Sequence, residues 1–500
     1  MSFFGNQHHS GILNIKTNFP FLLVVESAMK KLADIKTQFP EWYQDVVFAA
    51  ELADQAPVRG CMVIRPYGYA LWEEIQKNLD TKFKETGHQN AAFPLLIPQS
   101  FLQKEKEHVE GFSPELAIVT HAGGKELEEP LVVRPTSETI IHYMFAQWMR
   151  SWRDLPIKIN QWCSVVRWEL RPRPFLRTSE FWWQEGHTAH ETAEEAAQEA
   201  RDMHKLYQDF MEKDLAIPVI AAKKPEHEKF AGADATFTLE AMMQDGKAVQ
   251  MGTSHLISQN FAKAFDMTFQ NRDGGLSYPF LTSWGVTTRL IGAIIMVHGD
   301  AKGLILPPRI AQIQAVIVPI FKADNKEAVL SAATALAMQL KKSFRVHLDI
   351  REHETPGAKF YEWELKGVPV RIELGARDLE AGVATIADRL AGSKEAIKLL
   401  EVEEYLKQKL SDIQDALFER AKNYRDERLY QTDELLTEFG PRLHAEGGFY
   451  RVGWNKDTKA IDALKAFGGT IRCVLPETLS TRCFFSGQPS SCDIIVAKAY

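Results

Sequence analysis

The sequence predicts a chain of roughly three domains that mixes helices and strands from one end to the other. Its 500 residues set that domain count, and a hydrophobic content of 45% is ample for buried cores. From residue 34 to 310, segments with helical periodicity alternate with strand-like runs. From 311 to 400, strand and helix alternate regularly, the pattern of a small βα layered domain with a partly parallel sheet.

Taken in order, residues 1–33 lack the basic start and small-residue cleavage site of a secretory signal. Met29 immediately precedes a pair of lysines, so a start at Met29 is an alternative to Met1. Tyr69 to Phe83 and Glu191 to Lys213 read as helices, and Ala248 to Met251 and Ile294 to Val297 as strand-like runs. Between them, INQWCSVVRWELRPRPFLRTSEFWWQEGH at 159–187 reads as a β-hairpin. Pro172 and Pro174 forbid helix through its middle, while Trp162–Trp168 and Phe175–Trp183 carry the β-branched and aromatic residues that strands favour. In the βα region, AVIVPI at 315–320, FRVHLDI at 344–350 and VPVRIEL at 368–374 are strands. Helices lie between them at Lys326–Lys341 and near Gly357–Leu365. A charged amphipathic helix from Glu395 to Arg428 leads into a last domain.

The hairpin carries the chemistry. A period of two puts Arg177, Ser179, Phe181, Trp183 and Glu185 on one face of its second strand, and Arg167 and Glu169 on one face of the first. A guanidinium fork matches phosphate oxygens bidentately and a flat ring stacks on a base, so this face suits a nucleoside triphosphate. The alternative is an exposed arginine-rich hairpin whose aromatics merely cover a core.

A net charge of -7 argues against a protein that coats nucleic acid indiscriminately, though not against a local basic patch. Five scattered cysteines do not form a disulfide framework, and a reducing cytosol is the simpler setting. The run Phe19 to Val25 is interrupted by Pro20 and falls far short of the roughly 20 residues of a membrane span, so no membrane partner is expected.

VVRWE followed by FLRTSEFWWQEGH resembles motif 2 of the class II aminoacyl-tRNA synthetases, specifically the prolyl-tRNA synthetases of archaeal and eukaryotic type. VRGCMVIRPYGYALWEEIQ at 58–76 and FPLLIP at 93–98 resemble motif 1, VRPTSE at 133–138 the amino-acid loop, and QMGTSH at 250–255 part of the substrate pocket. SWGVTTRLIG at 283–292, followed by HGDAKGLILPPR, resembles motif 3. These matches run in the family's order from about Thr37 to Tyr500, leaving residues 1–33 as an extension outside it.

The resemblance implies an α+β class II catalytic domain on an antiparallel sheet at 34–310, with an anticodon-binding domain at 311–400. A linker helix and small α/β C-terminal domain follow at 401–500. It implies a proline-tRNA ligase that makes prolyl-adenylate from L-proline and ATP with Mg2+, then charges tRNA(Pro). Arg167 would span the amino-acid carboxylate and the α-phosphate. Arg177 and Thr178 would meet the phosphates and adenine, Phe181 would stack on the base, and Arg289, with Thr287 beside it, would clamp the other ring face and the γ-phosphate. Glu169, Gln250 and Thr253 would complete the nucleotide site. Proline, a compact ring bearing a secondary ammonium, needs an acceptor carboxylate and fitted walls. Thr136 and Glu138 would be the acceptors, Trp183 a wall, and His255 a neighbour of the ring. Thr136 or Ser137 could equally cap the helix that follows. Glu373, Arg377 and Asp378, at the end of a strand, could meet anticodon bases or phosphates, or simply be solvated.

Two departures stand out. Met251 occupies a position where the family commonly has glycine, placing a side chain where backbone lay bare. Many relatives carry a four-cysteine zinc site in the last domain, but residues 448–459 hold no cysteine. Cys473, Cys483 and Cys492 lack the paired short spacings of a zinc signature, so no structural zinc is expected. Motif 1 implies a homodimer, the cysteine pattern a cytoplasmic one, and the short stretch between His187 and Val249 leaves no room for an editing domain. The alternatives are a class II synthetase for another amino acid, a catalytically weak synthetase-like tRNA-binding protein, and an unrelated nucleotide-binding scaffold. Intact Arg167, Arg177 and Arg289 weigh against a degenerate site, and the βα domain placed after motif 3 against an unrelated scaffold.

Overall fold

A sheet of 11 strands runs through the protein and sets the position of everything else. The computed structural model describes residues 31–102 and 116–500, so residues 1–30, with the alternative start at Met29, lie outside the described residues. The middle of the sheet is antiparallel. Its strands lie in the spatial order Val219–Lys223, Ala235–Met242, Ala248–Ser258, Phe280–Thr287, Glu180–His190 and Ile157–Val166. Gln89–Asn90 adds a parallel edge. On the far side, Val474 pairs with Lys223, and through that contact the C-terminal strands Thr470–Val474, Cys492–Ala497, Phe449–Trp454 and Leu429–Gln431 continue the same sheet.

Alternation decides which face each residue serves. On Glu180–His190, Phe181, Trp183, Glu185 and His187 face an open cleft. Gln184, between them, accepts a hydrogen bond from the Tyr207 hydroxyl of the helix Ala193–Lys213 on the other face. That helix starts in a capping box, with Thr192 Oγ1 accepting from Glu195 N–H and the Glu195 carboxylate from Thr192 N–H. Its stripe of Ala196, Ala200, Met203, Tyr207 and Phe210 keeps the 3.6 period and is buried throughout. Gly186 lies where the sheet meets the core. A β-carbon there would fall 2.1 Å from the ring of buried Trp284, so no other residue fits without moving the indole.

Three expectations are corrected. Ile294–Val297 belongs to the helix Arg289–His298 rather than to a strand, because a helix buried on every side is apolar on every side and loses its period. The hairpin is real, with Val166 opposite Glu180, but its strands stop there, and Phe175 to Ser179 forms a turn instead of strand. Phe175 holds φ +59° in that turn. The amphipathic helix starts at Val402, not Glu395, since Lys394–Lys398 is the outer strand of the next sheet.

That five-stranded sheet has the order Val346–Leu348, Ala315–Ile320, Val370–Gly375, Val383–Asp388 and Lys394–Lys398. The first three strands are parallel and the others antiparallel. Its core is completed by Val402, Leu406, Leu410, Ile413 and Leu417 of the helix Val402–Asp426. Each such side chain contributes about 1.5–3 kcal/mol of burial, so the helix belongs to this core as much as it links onward. A separate three-stranded sheet pairs Leu96–Pro98 and Ala117–Ala122 with Lys125–Val133.

Candidate functional site

The open face of the central sheet bears a cleft of about 690 Å³, and the hairpin, the turn after residue 134, strand Ala248–Ser258 and the start of the helix Arg289–His298 all reach it. Every residue expected at the nucleotide or proline sites lines this cavity: Thr136, Glu138, Arg167, Glu169, Arg177, Thr178, Phe181, Trp183, Gln250, Thr253, His255, Thr287 and Arg289.

At one end the side chains are cationic. Arg167 donates from Nε to the Pro135 carbonyl at 2.8 Å, and its guanidinium sits 5.5 Å from the Phe181 ring centre and 5.3 Å from that of Trp183. Those two rings stand perpendicular, 6.1 Å apart, so the guanidinium is held by a carbonyl and two π faces. Arg289 donates to the carbonyls of Leu176 and Gln250 at 3.4 and 3.3 Å, while its own N–H donates to Thr287 Oγ1. Enclosure, together with the charges of Arg177 and Arg167, pulls the Arg289 pKa down to about 10. It remains a cation at neutral pH, crowded by other cations. Arg167, Arg177 and Arg289 bond main-chain oxygens rather than side-chain carboxylates, so this end of the cleft concentrates positive charge.

The other end is built from carboxylates and imidazoles. Thr136 and Glu138 are buried, and the Thr136 hydroxyl donates to the Glu138 carboxylate. The helix cap expected of Thr136 or Ser137 does not form. Ser137 holds the N-cap position, but its hydroxyl accepts from Gln161 Nε2 instead. Gln161 also donates to Glu185 at 2.8 Å and accepts from Phe93 N–H at 2.6 Å, and Arg134 donates to the carbonyls of Ser164 and Phe93. The amino-acid loop is thereby tied to the hairpin and to the segment 93–98.

Glu185 and His187 form a buried pair, Oε2 to Nε2 at 3.0 Å. Burial opposes both charged forms, yet the hydrogen bond and mutual charge outweigh it, holding the carboxyl below and the imidazole above their usual values. His255 differs. Burial, reinforced by the His187 charge, pushes its pKa down to about 3, so it is neutral, with Nδ1 2.9 Å from Thr236 Oγ1 and its ring 4.8 Å from Phe230.

Met251 is the extra residue of a β-bulge opposite Leu239 and Glu240. Its side chain packs into the main core, so the expected intrusion beside Gln250 is confined to the backbone bend. Glu185, His187, Lys224 and Thr236 also line the cleft but were not among the expected binding residues. The hairpin's period of two already puts Glu185 on this face, though without a binding role, and one further step of the same period reaches His187. Lys224 and Thr236 come from strands with no local signal. In the five-stranded sheet, Glu373 is buried against Arg371 and Lys394, Asp378 accepts from Gly375 N–H at the start of a short helix, and Arg377 is exposed. Among the described residues no group of three metal-ligating side chains is gathered.

Residues 119–298 match the family described as "tRNA synthetase class II core domain (G, H, P, S and T)", and residues 314–409 match "Anticodon binding domain". The chain is 51% identical over 475 residues to a proline-tRNA ligase of Alkaliphilus oremlandii (strain OhILAs), covering 94% of this chain and 98% of the relative. It is 53% identical over 489 residues to one of Chloroherpeton thalassium, covering 94% and 100%. With proline-tRNA ligase 2 of Clostridioides difficile (strain 630) it shares 50% over 477 residues, covering 94% and 98%. Identity at this level over nearly the whole of each relative leaves one assignment: the chain belongs to the proline-tRNA ligase family, built on a class II tRNA synthetase core followed by an anticodon-binding domain.

Proposed function

We infer that this chain activates L-proline with ATP to prolyl-adenylate and transfers the prolyl group to tRNA(Pro). One observation carries the reading: a single cleft joins three clustered arginines to a buried Thr136–Glu138 acceptor pair. Proline's carboxylate is ionised at neutral pH and attacks the α-phosphorus without a general base, so positioning and charge supply the rate. Arg167 stands between the two ends and contacts both reacting groups. Arg177, Thr178, Arg289 and Thr287 hold the phosphates and ribose side, Phe181 stacks on adenine, and Glu169, Gln250 and Thr253 complete the nucleotide site. ATP enters as its Mg2+ complex. At the far end Glu138 and Thr136 receive the secondary ammonium, Trp183 and His255 wall the ring, and the Glu185–His187 pair fixes the floor.

The catalytic domain spans 34–310, the anticodon-binding domain starts at 311 and takes in the helix Val402–Asp426 that completes its core, and the C-terminal part follows. In the second of these, Arg377 is the group open to an anticodon phosphate or base, with Asp378 holding its helix. Glu373 acts there through Arg371 and Lys394. No structural zinc is expected in the last domain, because Cys473, Cys483 and Cys492 lack the paired short spacings of a zinc signature. Five unpaired cysteines suit the cytoplasm. A homodimer is favoured by Leu95, Leu96 and Ile118, apolar side chains left exposed on or beside the three-stranded sheet that includes part of motif 1. Charging of a tRNA(Pro) transcript with labelled proline and ATP·Mg2+ tests the reaction. Acid-precipitable proline that depends on both ATP and tRNA is expected, and none would refute it.

A further inference from the structure

Beyond Arg177 and Arg289 the cleft opens into a second hollow of about 420 Å³, walled by Arg171, Arg173, Lys224, Arg472 and the ring of Tyr500. Two of these cations are already neutralised: Lys224 by Glu228 and Glu240, and Arg472 by Glu240. The other two, Arg171 and Arg173, form no ion pair among the described residues, while Arg177 and Arg289 at the mouth meet main-chain oxygens. Six cations against Glu228 and Glu240 leave an excess of positive charge around one hollow, which suits an anion of several charges.

The turn bearing them is held in place. Arg173 and Arg177 exchange backbone hydrogen bonds at 2.6 and 3.0 Å, Phe175 is buried beneath them, and the Tyr43 hydroxyl donates to the Pro174 carbonyl at 2.6 Å. The Arg173 guanidinium lies 5.3 Å from the Tyr500 ring centre, and Arg177 donates to the main-chain oxygen of Tyr500 at 3.3 Å.

We propose that this hollow is the site through which inorganic pyrophosphate leaves, with Arg171 and Arg173 as its determinants. The proposal rests on the reaction inferred above. In that reaction an oxygen of the amino-acid carboxylate bonds to the α-phosphorus, and the bond from that phosphorus to the bridging oxygen breaks. The electron pair departs on pyrophosphate, which therefore carries more charge than the same two phosphoryl groups did in ATP. The cations that held those groups in the substrate, Arg177 and Arg289, stand at the mouth of the hollow. Arg171 and Arg173 are the next donors outward, so the leaving anion gains contacts as it moves away from the adenylate.

Calorimetric titration of the full chain with sodium pyrophosphate, with sulfate as comparator, tests this, alongside the KM for ATP in proline-dependent exchange. Pyrophosphate should bind the wild-type chain more tightly than sulfate, with affinity falling as salt is raised. Arg173→Ala should weaken it about tenfold, the effect of one charge-assisted contact, while the KM for ATP stays within about twofold. Arg173→Lys, which keeps the charge, should recover most of the loss. Unchanged pyrophosphate affinity in Arg173→Ala, or a parallel rise in the KM for ATP, would overturn the proposal, the second because Arg173 would then belong to the ATP site. A chain that bound pyrophosphate through Arg173 but activated no amino acid would refute the inferred reaction and the exit role with it, leaving only an anion site.

Discussion

Glu138 and Arg167 divide the cleft between them, and their substitutions should fail in different ways. Glu138→Gln keeps the shape and removes the negative charge proposed to face proline's ammonium. The KM for proline should rise by roughly tenfold or more, while the KM for ATP holds. If ATP affinity fell instead, the Thr136–Glu138 pair would belong to the nucleotide. Arg167→Ala removes the contact proposed to both reacting groups, and proline activation should drop about a hundredfold or more, near 3 kcal/mol. Its melting temperature should hardly move, because the guanidinium is open to the cleft and bonds one carbonyl. Most of these positions were legible because each sits in a short ordered motif. Lys224 and Thr236 were not, because what brings them to the cleft is pairing between segments that are not neighbours in the chain, as in Thr236 opposite His255, 19 residues on. A side chain's sequence neighbours carry no trace of that.

At the scale of elements, the segment between the hairpin and the pocket strand decides how accurately small amino acids are refused. Residues 193–242 are spent on the helix Ala193–Lys213 and the strands Val219–Lys223 and Ala235–Met242, all parts of the central sheet and its cover. Among the described residues no separate domain is inserted there. Rejection of alanine then rests on the proline pocket, where a missing methylene is worth only about 1–3 kcal/mol. The protein should therefore make measurable alanyl-tRNA and leave added alanyl-tRNA intact, and its rapid hydrolysis would contradict this. The elements with a clear period, such as Ala193–Lys213 and the alternating strands and helices of 315–374, were readable before any coordinates. The helix Arg289–His298 was not, since burial on all sides erased its polar face. The turn at Phe175 was missed for the opposite reason. A large aromatic at positive φ is rare, and it is held there by Leu176, Tyr43 and the core beneath rather than by local preference.

For the molecule as a whole, buried histidines set the response to acid. Burial lowers the pKa of His298 to about 3 and of His190 to about 4, and pushes His142 well below its ordinary 6.5. Between those values and 6.5 the unfolded chain binds protons that the folded chain refuses. The contribution is therefore full above about pH 6.5 and is lost as pH falls toward 4. At pH 5 His298 and His190 should each remove on the order of 1–2 kcal/mol. His187, raised by its partner Glu185, works in the opposite sense and loses its contribution as pH climbs through its folded pKa. The urea midpoint should accordingly drop between pH 7 and 5, and a flat midpoint would mean that these imidazoles are not held neutral. Native mass spectrometry reads two further properties together: a two-chain species without zinc is expected, and a single chain or a stoichiometric zinc would each remove one of them.

Amino-acid-dependent exchange of labelled pyrophosphate into ATP, run with each of the twenty amino acids in turn, tests the central claim most directly. It isolates the first half-reaction and needs no tRNA. Proline should support exchange far above every other amino acid, with alanine a distant second, and Glu138→Gln should suppress the proline signal at limiting proline. Exchange driven chiefly by another amino acid, or by none, would contradict the account.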